Sequence, residues 1–228
     1  MHSVQITPSV PLSHTLQFRR PSGIQLPSAR IRCHGKGSQA ALSSEDILPN
    51  ARRRKIDRSW RGGFSLGVDL GTSRTGVAVS KGFSFRPLTV VELRGEKLEV
   101  RLLQIAEDEG ADEFIVGLPT SVDGKENPRS NMVRSVVGRL AVRAAGMGWR
   151  VYLQDEYGTT IGATHRMIDM NLKKSTRQKQ VDAYSAVMLL ERYFSTSGKQ
   201  AELVLPKQMD LQEKLRKGPL IDSDFDMD

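Results

Sequence analysis

Two apolar runs joined by a short glycine-containing turn restrict this chain to a fold that contains a sheet. Phe64 to Val68 is mostly apolar and ends at Asp69, and a second extended run continues from Gly76 to Val79. Between the two runs, Gly71 permits a tight turn. The pattern predicts a strand, turn, strand hairpin in which Asp69 is a carboxylate at the end of the first strand.

The remaining apolar patterns alternate between strand and helix. A third strand is predicted from Phe85 to Leu93, where Pro87 suits an edge position. Further elements are predicted from apolar spacing and end signals. They are helices at 96–109, 128–145, 159–170 and 180–194, strands at 112–119 and 149–154, a basic loop at 173–179, and a short helix near 208–216. Three meandering strands followed by alternation predict an α/β fold with a mixed sheet of about five strands flanked by helices.

The first 44 residues have the composition of a targeting segment. They contain five Lys or Arg residues, eight Ser residues and no Asp or Glu. This composition is typical of an organelle transit peptide, although an ordinary disordered leader shares it. We expect a chloroplast location, with the mitochondrion as the alternative, because no Arg-bearing amphipathic helix is evident. No apolar run approaches the roughly 20 residues that span a bilayer, so no membrane association is expected.

The rest of the chain is moderately basic. The net charge of the whole chain is +8, which suits a polyanionic partner. Residues 45–62 are predicted to be a basic linker, whose run from Arg52 to Lys55 would suit RNA phosphates or simply be solvated. Residues 63–196 are predicted to be one folded domain, and residues 197–228 a flexible tail with an acidic end. The only cysteine, Cys33, excludes an intrachain disulfide and a cysteine-based zinc site.

Three acidic residues are expected to meet at one edge of the sheet. Asp69 ends the first strand, Glu156 follows the last strand, and Asp182 lies in the first turn of the last long helix predicted. Crowded carboxylates raise one another's pKa unless a cation lies among them. Mg²⁺ or Mn²⁺ is the expected cofactor, because such ions bind oxygen ligands and keep waters that can attack a phosphate. Solvated loop acids and simple stabilisation of a helix N-terminus are the alternatives.

Four short motifs occur in the order and at the spacing of a known family. They are Gly67-Val-Asp-Leu-Gly71 with Gly76-Val-Ala78, Val116-Gly-Leu-Pro119 with Asp123-Gly124, Asp155-Glu156 with Thr159-Thr160, and Val181-Asp-Ala183 with Ala186. Together they resemble the YqgF/RuvX family of pre-16S rRNA nucleases, which are related to the Holliday junction resolvase RuvC. The match covers about residues 63–195. It implies an RNase H-like fold and a metal-dependent endonuclease that trims the 5′ end of a small-subunit ribosomal RNA precursor, here in a plant organelle.

The resemblance also implies roles for individual residues. Asp69, Glu156 and Asp182 would be the catalytic acids and the metal ligands, in a reaction where a metal-bound water attacks phosphorus. Arg129 stands at a place where the family would use it to hold a substrate phosphate, although an ordinary Arg on a helix surface is the alternative.

Other residues beside these acids are expected to contact phosphate or a base. Lys174 and Arg177 lie in the predicted basic loop before the last acid, and Thr72 lies in the turn after the first acid. The family usually reads Asp-Glu-Arg-Leu-Thr-Thr, whereas this chain reads Asp155-Glu-Tyr-Gly-Thr-Thr160. Tyr157 therefore replaces a guanidinium, and it is expected either to stack on a base or to pack.

Other functions fit parts of the same pattern. A non-catalytic RNA-binding factor in ribosome biogenesis or transcription would need only the fold and its basic segments. The turn from Asp69 to Ser73 is also similar to the first phosphate loop of actin-like ATPases and sugar kinases, but 228 residues lack the second lobe that ATP binding requires there. A branched-DNA resolvase would favour a homodimer, and the sequence leaves monomer and homodimer open. The expected partner is nucleic acid, above all pre-rRNA in a precursor of the small ribosomal subunit.

Overall fold

The computed structural model describes residue 42 and residues 47–59, 62–82 and 84–219. These residues form six helices and six strands. The strands are β1 (Phe64–Leu70), β2 (Thr75–Lys81), β3 (Ser84–Val91), β4 (Ala111–Leu118), β5 (Arg150–Asp155) and β6 (Glu202–Leu203). The helices are α1 (Asn50–Ile56), α2 (Gly95–Glu109), α3 (Pro128–Gly146), α4 (Thr159–Asp169), α5 (Lys174–Ser195) and α6 (Met209–Lys217).

The strands form one mixed sheet in the order β3-β2-β1-β4-β5-β6. The first three strands pair antiparallel, whereas β1, β4 and β5 run parallel. The carboxyl ends of β1, β4 and β5 therefore lie at the same edge. This arrangement confirms the expected RNase H-like α/β class. The sheet has one strand more than expected, because β6 pairs only two residues with β5 and is too short to produce an alternating pattern.

Alternate residues of the central strands face two different layers. Leu66, Val68 and Leu70 of β1 belong to the larger apolar core, which also contains buried residues of α2 and α3. On the other face, Ile115 of β4 and Tyr152 of β5 pack with residues of α1 and α5. Because side chains alternate along a strand, Ser65, Gly67 and Asp69 of β1 share the α5 face.

The predicted linker contains a helix that belongs to the fold. The structure corrects that interpretation, because α1 lies within residues 45–62 and buries Asn50, Ala51 and Arg54. The Asn50 N–H donates to Glu113 Oε2 at 2.9 Å, and its side-chain amide donates to Asp112 Oδ1 at 2.8 Å. A helix of seven residues with three consecutive arginines carries little sequence periodicity, so these tertiary contacts explain why it forms.

The structure describes little of the predicted leader and most of the predicted tail. The predicted leader lies outside the described residues except for Leu42, which is buried beside Leu215 of α6. In the predicted tail, β6 and α6 are formed, and residues 220–228 lie outside the described part. Among the described residues, no helix has the length and apolarity that crossing a membrane requires.

The predicted basic loop at 173–179 is helical. The last long helix, α5, begins at Lys174 rather than at 180, so Asp182 lies beyond its second turn and not in its first. Three lysines and an arginine gave this segment the composition of a solvated turn, but they are also good helix formers. Stabilisation of a helix N-terminus therefore does not explain Asp182, because that effect is confined to the first turn.

Candidate active site

The three predicted acids are brought to the same end of the sheet. Asp69 is the penultimate residue of β1, and Glu156 follows the last residue of β5. Asp182 comes from α5, which packs on the face of the sheet that carries the Asp69 side chain. The charge of Asp182 raises the pKa of Asp69, and the charge of Asp69 raises the pKa of Glu156, so Asp69 lies near both of the other carboxylates.

Two glycines of the hairpin allow α5 to lie against the sheet. Gly76 pairs directly with Asp69 across β1 and β2, and a Cβ there would lie 1.9 Å from the Asp182 carbonyl oxygen. A Cβ at Gly67 would lie 2.7 Å from the Ala186 carbonyl oxygen. No side chain fits at these distances. The absence of side chains therefore sets the separation between Asp69 on the sheet and Asp182 on the helix.

The carboxyl of Asp69 resists ionisation. Burial raises its pKa to about 6, and the nearby charge of Asp182 adds to the rise. The positive charge of Arg129 and a hydrogen bond with Ser185 act in the opposite direction. The balance shows that desolvation and carboxylate repulsion outweigh the stabilising contacts that the protein provides at this position.

The carboxyl of Glu156 also resists ionisation. Burial raises the pKa of this carboxyl to about 7, with a further contribution from the charge of Asp69. Arg129 opposes the shift, but its Nη2 is 3.9 Å from Glu156 Oε1, at the limit of an ion pair. The other oxygen, Oε2, is buried without a hydrogen-bond partner. A buried carboxylate oxygen without a donor is costly, so this site suits a cation or a proton.

Asp182 has a cationic partner of its own. Arg74, in the turn between β1 and β2, places Nη2 2.6 Å from Asp182 Oδ2. The same nitrogen donates to the carbonyl oxygens of Gln178 and Lys179 at 3.1 and 3.2 Å. Arg74 therefore ties the hairpin turn to α5 and partly neutralises the third acid. Sequence reasoning missed this residue, because nothing in the hairpin motif indicates a partner more than 100 positions away.

The carboxylates meet the chemical requirement of a hard divalent cation but do not form a closed site. They provide oxygen donors only, two of them have raised pKa values, and one oxygen of Glu156 is buried without a partner. Across the described part of the chain, however, no group of three Asp, Glu, His or Cys side chains has the arrangement of a formed metal centre. The donor set fits Mg²⁺ or Mn²⁺, and binding would require the side chains to draw closer together.

The structure places the four predicted substrate-binding residues in different positions relative to the acids. Arg129, at the start of α3, reaches the acids, and its Nη2 also donates to the Leu70 carbonyl oxygen at 3.3 Å. Thr72 is exposed in the turn after β1. Lys174 is exposed as the first residue of α5. Arg177 donates through Nη1 to the Leu172 carbonyl oxygen at 3.0 Å, so the structure does not bring that nitrogen to the acids.

A further arginine supports the segment that carries Glu156. Arg192, on α5, donates from Nη1 to the Asp155 carbonyl oxygen at 2.9 Å and from Nη2 to the Tyr157 carbonyl oxygen at 2.6 Å. It thus binds the backbone on both sides of Glu156. The ring of Tyr157, beside it, is 52% exposed. The local sequence shows only that position 157 lacks the arginine that the family usually has. The structure shows that the guanidinium of Arg192, on α5, binds the backbone at this position.

Gly117 makes the space that the Glu156 carboxylate uses. A Cβ at this position would lie 2.2 Å from Glu156 Oε2, which is the end of a flexible side chain. We expect Gly117→Ala to displace the carboxylate and to reduce the metal-dependent phosphodiester cleavage that the sequence predicts by about 10- to 100-fold, because a misplacement of about 1 Å has costs of this order. The free energy of unfolding, measured by denaturant titration, should change by less than about 1.5 kcal/mol. Gly162→Ala, which adds a methyl in ordinary contact with Met188, is the matched control; equal activity of both variants would contradict this role.

Comparison with known proteins identifies relatives over the central part of the chain. A family profile described as RuvX, Holliday junction resolvase, matches residues 63–196. A protein of Nocardioides sp. named "Putative pre-16S rRNA nuclease" is 39% identical over 142 residues, which cover 60% of this chain and 90% of that protein. A protein of Pelotomaculum thermopropionicum with the same name is 30% identical over 138 residues, covering 59% and 88%.

The solved structures that are similar to this chain are more distant. "T. thermophilus RuvC in complex with Holliday junction substrate" is 16% identical in sequence, with a TM-score of 0.42. The match covers 62% of this chain and 99% of that one. The second, "Thermus thermophilus RuvC structure", is 18% identical with a TM-score of 0.40.

Proposed function

The chain belongs to the RuvX family, and from that premise we propose that it is a metal-dependent endonuclease that hydrolyses phosphodiester bonds. The observation that carries the proposal is the pair of perturbed carboxyls at the strand ends. Asp69 and Glu156 have pKa values raised to about 6 and about 7, and Glu156 Oε2 is buried without a donor. A protein maintains such a cluster at a cost in stability, and perturbed acids of this kind are concentrated at functional sites.

Asp69, Glu156 and Asp182 are the residues that we propose as catalytic acids and as ligands of Mg²⁺ or Mn²⁺. The ion would supply Lewis-acid stabilisation of the phosphate and a water of lowered pKa. The protein's own contribution is positioning. Gly76 sets the distance between the sheet and α5, Arg192 fixes the backbone on both sides of Glu156, and Arg74 reduces the charge repulsion that Asp182 would otherwise add.

Binding of the substrate is proposed to involve cations around these acids. Arg129 lies between Leu70 and Glu156, where a guanidinium could pair with a phosphate oxygen. Thr72 and Lys174 are exposed on the two segments that carry Asp69 and Asp182, and we propose both as phosphate contacts. Arg177 is proposed to act at the same place with its remaining N–H groups, while Nη1 orders the turn before α5.

The proposed substrate is the 5′ region of a 16S-type ribosomal RNA precursor. Support comes from the curated relatives named for that activity, which are 30 to 39% identical over the family range. The acid-free, Ser-rich first 44 residues support a chloroplast location, with the mitochondrion as the alternative. We propose that the chain acts on the precursor of the organellar small subunit, as a monomer or a homodimer.

A second candidate is a non-catalytic RNA-binding factor with the same fold. Two observations favour it: Tyr157 stands where the family usually has an arginine, and Arg74 already forms an ion pair with Asp182. Under this alternative the carboxylates would be retained from a nuclease ancestor without turnover. RNA binding would then be independent of divalent ions.

A cleavage assay separates these functions. The full-length protein should cleave a 5′-extended 16S-type RNA fragment in Mg²⁺ or Mn²⁺ and should be inactive in EDTA. A four-way DNA junction serves as the competing substrate, and its preferential cleavage would indicate a resolvase. RNA binding without cleavage in either ion would favour the non-catalytic factor.

Proton competition should make metal affinity depend strongly on pH. Since the pKa values of Asp69 and Glu156 are raised to about 6 and about 7, both carboxyls must lose protons for a divalent cation to bind. We expect the dissociation constant for Mn²⁺ to rise at least 10-fold between pH 8 and pH 6, as measured by isothermal titration calorimetry. Affinity that is constant over this range would show that other groups bind the ion.

A further inference from the structure

A cavity of about 630 Å³ lies between α1 and the segment that connects α5 to β6. Arg52, Lys55 and Ile56 of α1 line one side, Lys199 and Leu203 line the other, and Tyr152 of β5 contributes from the sheet. The two sides come from outside the family range of 63–196, one from before it and the other from after it. The cavity is thus built largely by the parts of this chain that surround the family domain.

The basic run from Arg52 to Lys55 is divided by the helix into an inner and an outer side. Arg54 points inward, donates from Nη1 to Ser80 Oγ at 2.9 Å and lies over the Phe194 ring at 4.6 Å. Arg52 and Lys55 are exposed and line the cavity. The sequence left open whether this run contacts RNA phosphates or is solvated, and the inward position of Arg54 removes that residue from either interpretation.

Among the described residues, the three cations of the cavity have no ion-pair partner, unlike several arginines elsewhere on the surface. Arg134 pairs with Glu126 and Glu202, and Arg166 pairs with Glu191. Throughout the described residues, by contrast, no carboxylate forms an ion pair with Arg52, Lys55 or Lys199, although all three are gathered around one concavity. A group of like charges in a concave surface attracts an anion, because the low-dielectric walls concentrate their field.

The helix that carries two of these cations is held firmly. Arg150, buried in β5, donates to Asn50 Oδ1 at 3.0 Å and pairs with Asp112 Oδ2 at 2.6 Å. The Asn50 N–H is bound to Glu113, which is itself fully buried. Contacts of this kind fix the backbone of α1 before any ligand arrives, so little entropy is lost on binding.

We infer that this cavity binds a nucleotide unit, with its phosphate on Arg52, Lys55 and Lys199 and its base against the apolar lining. The volume lies in the range of small-ligand sites, and Ile56, which is 67% exposed, and Leu203 provide an apolar surface for a base. The unit could be part of a single-stranded RNA bound elsewhere on the protein or a free mononucleotide. The inference goes beyond the proposed function, because it assigns a second binding site and no step of cleavage.

The test removes the three charges and measures binding without catalysis. Affinity of a 12-nucleotide single-stranded RNA is measured by fluorescence anisotropy in EDTA between 50 and 200 mM KCl. The variant Arg52→Gln/Lys55→Gln/Lys199→Gln should bind at least 10-fold more weakly. Its slope of log affinity against log salt should become shallower by about 0.7, since the cavity holds one phosphate and each phosphate contact of a single strand contributes roughly that amount. The control Arg94→Gln/Lys97→Gln/Arg101→Gln removes the same charge at α2, on the opposite face of the sheet, and should change both quantities less.

Two further measurements identify the source of the ligand. If AMP binds the wild-type protein and not the Gln variant by calorimetry, the cavity accepts free nucleotides. If only RNA affinity falls, the ligand is a nucleotide within a strand. The variant Arg52→Lys/Lys55→Arg/Lys199→Arg should restore binding if charge is the cause. Equal RNA affinity and slope in the Gln variant and the α2 control would overturn the inference. Because all binding is measured in EDTA, failure of cleavage would not affect the outcome.

Discussion

Asp69→Asn should abolish metal-dependent cleavage, with a loss of about 1000-fold or more. The substitution keeps the size and the hydrogen-bonding shape of the side chain but removes the charge that links Glu156 and Asp182. Loss of a ligand that holds a catalytic cation removes several kcal/mol of transition-state stabilisation, and each 1.36 kcal/mol corresponds to a factor of ten. The measurement is the single-turnover rate on a 5′-extended 16S-type RNA fragment in saturating Mg²⁺. Asp108→Asn on the exposed surface of α2 is the matched control and should retain full activity.

The same variant should be more stable than the wild-type protein in the absence of divalent ions. The folded pKa of Asp69, about 6, exceeds its ordinary value of 3.8, so ionisation opposes folding. The penalty is absent below about pH 4, grows between about pH 4 and pH 6 and is constant above that, and the asparagine does not have it. We expect a gain of roughly 1–3 kcal/mol in the free energy of unfolding at pH 8 that disappears at pH 4. Retention of cleavage by this more stable variant would exclude Asp69 as a catalytic acid.

Gly76→Ala should reduce both stability and cleavage, because the added methyl meets backbone. Its Cβ would lie 1.9 Å from the Asp182 carbonyl oxygen and 2.7 Å from the Ala183 nitrogen. These atoms cannot rotate away, so α5 must move as a whole. Overpacking of this kind costs about 1–3 kcal/mol and occasionally more, which should lower Tm by several degrees. Displacement of α5 also moves Asp182 away from Asp69, and cleavage should fall by about 100-fold or more.

Gly138→Ala is the control for this prediction. Gly138 lies in the interior of α3, and a Cβ there meets nothing within 4 Å. Replacing a helical glycine by alanine in open space should stabilise the protein by roughly 0.5–1 kcal/mol, with no effect on cleavage. Both substitutions add one methyl group, but Gly76→Ala is expected to destabilise the protein and Gly138→Ala to stabilise it. A stable, fully active Gly76→Ala variant would show that α5 does not rely on this close approach.

The order of strands and helices in the central domain could be predicted from local patterns. The hairpin, the alternation that follows it and the fold class depend on apolar periodicity and on turn residues, which are local properties. The predictions failed where long-range contacts decide the structure. The helix α1 forms because Asn50 bonds with Asp112 and Glu113. The early start of α5 at Lys174 was missed for a different reason, because its basic residues suit both a solvated turn and a helix.

In the candidate site, too, local features could be predicted from the sequence and long-range contacts could not. The positions of Asp69 and Glu156 at strand ends follow from the sequence, because a strand pattern also gives its end. The pairing of Arg74 with Asp182 and of Arg192 with the backbone around Glu156 joins residues that are far apart in the chain, and no local pattern contains it.

The contacts of Asn50 bear on how much of this chain is needed for an independent folding unit. Glu113 and Arg150 are buried in the sheet, and both form hydrogen bonds with Asn50, which lies outside the family range. A fragment limited to residues 63–196 would leave these charges short of hydrogen bonds, and a buried group without its partner costs about 1–3 kcal/mol or more. Many natural domains have only 5–15 kcal/mol in total. A fragment limited to the family range should therefore be less stable than one that also includes α1.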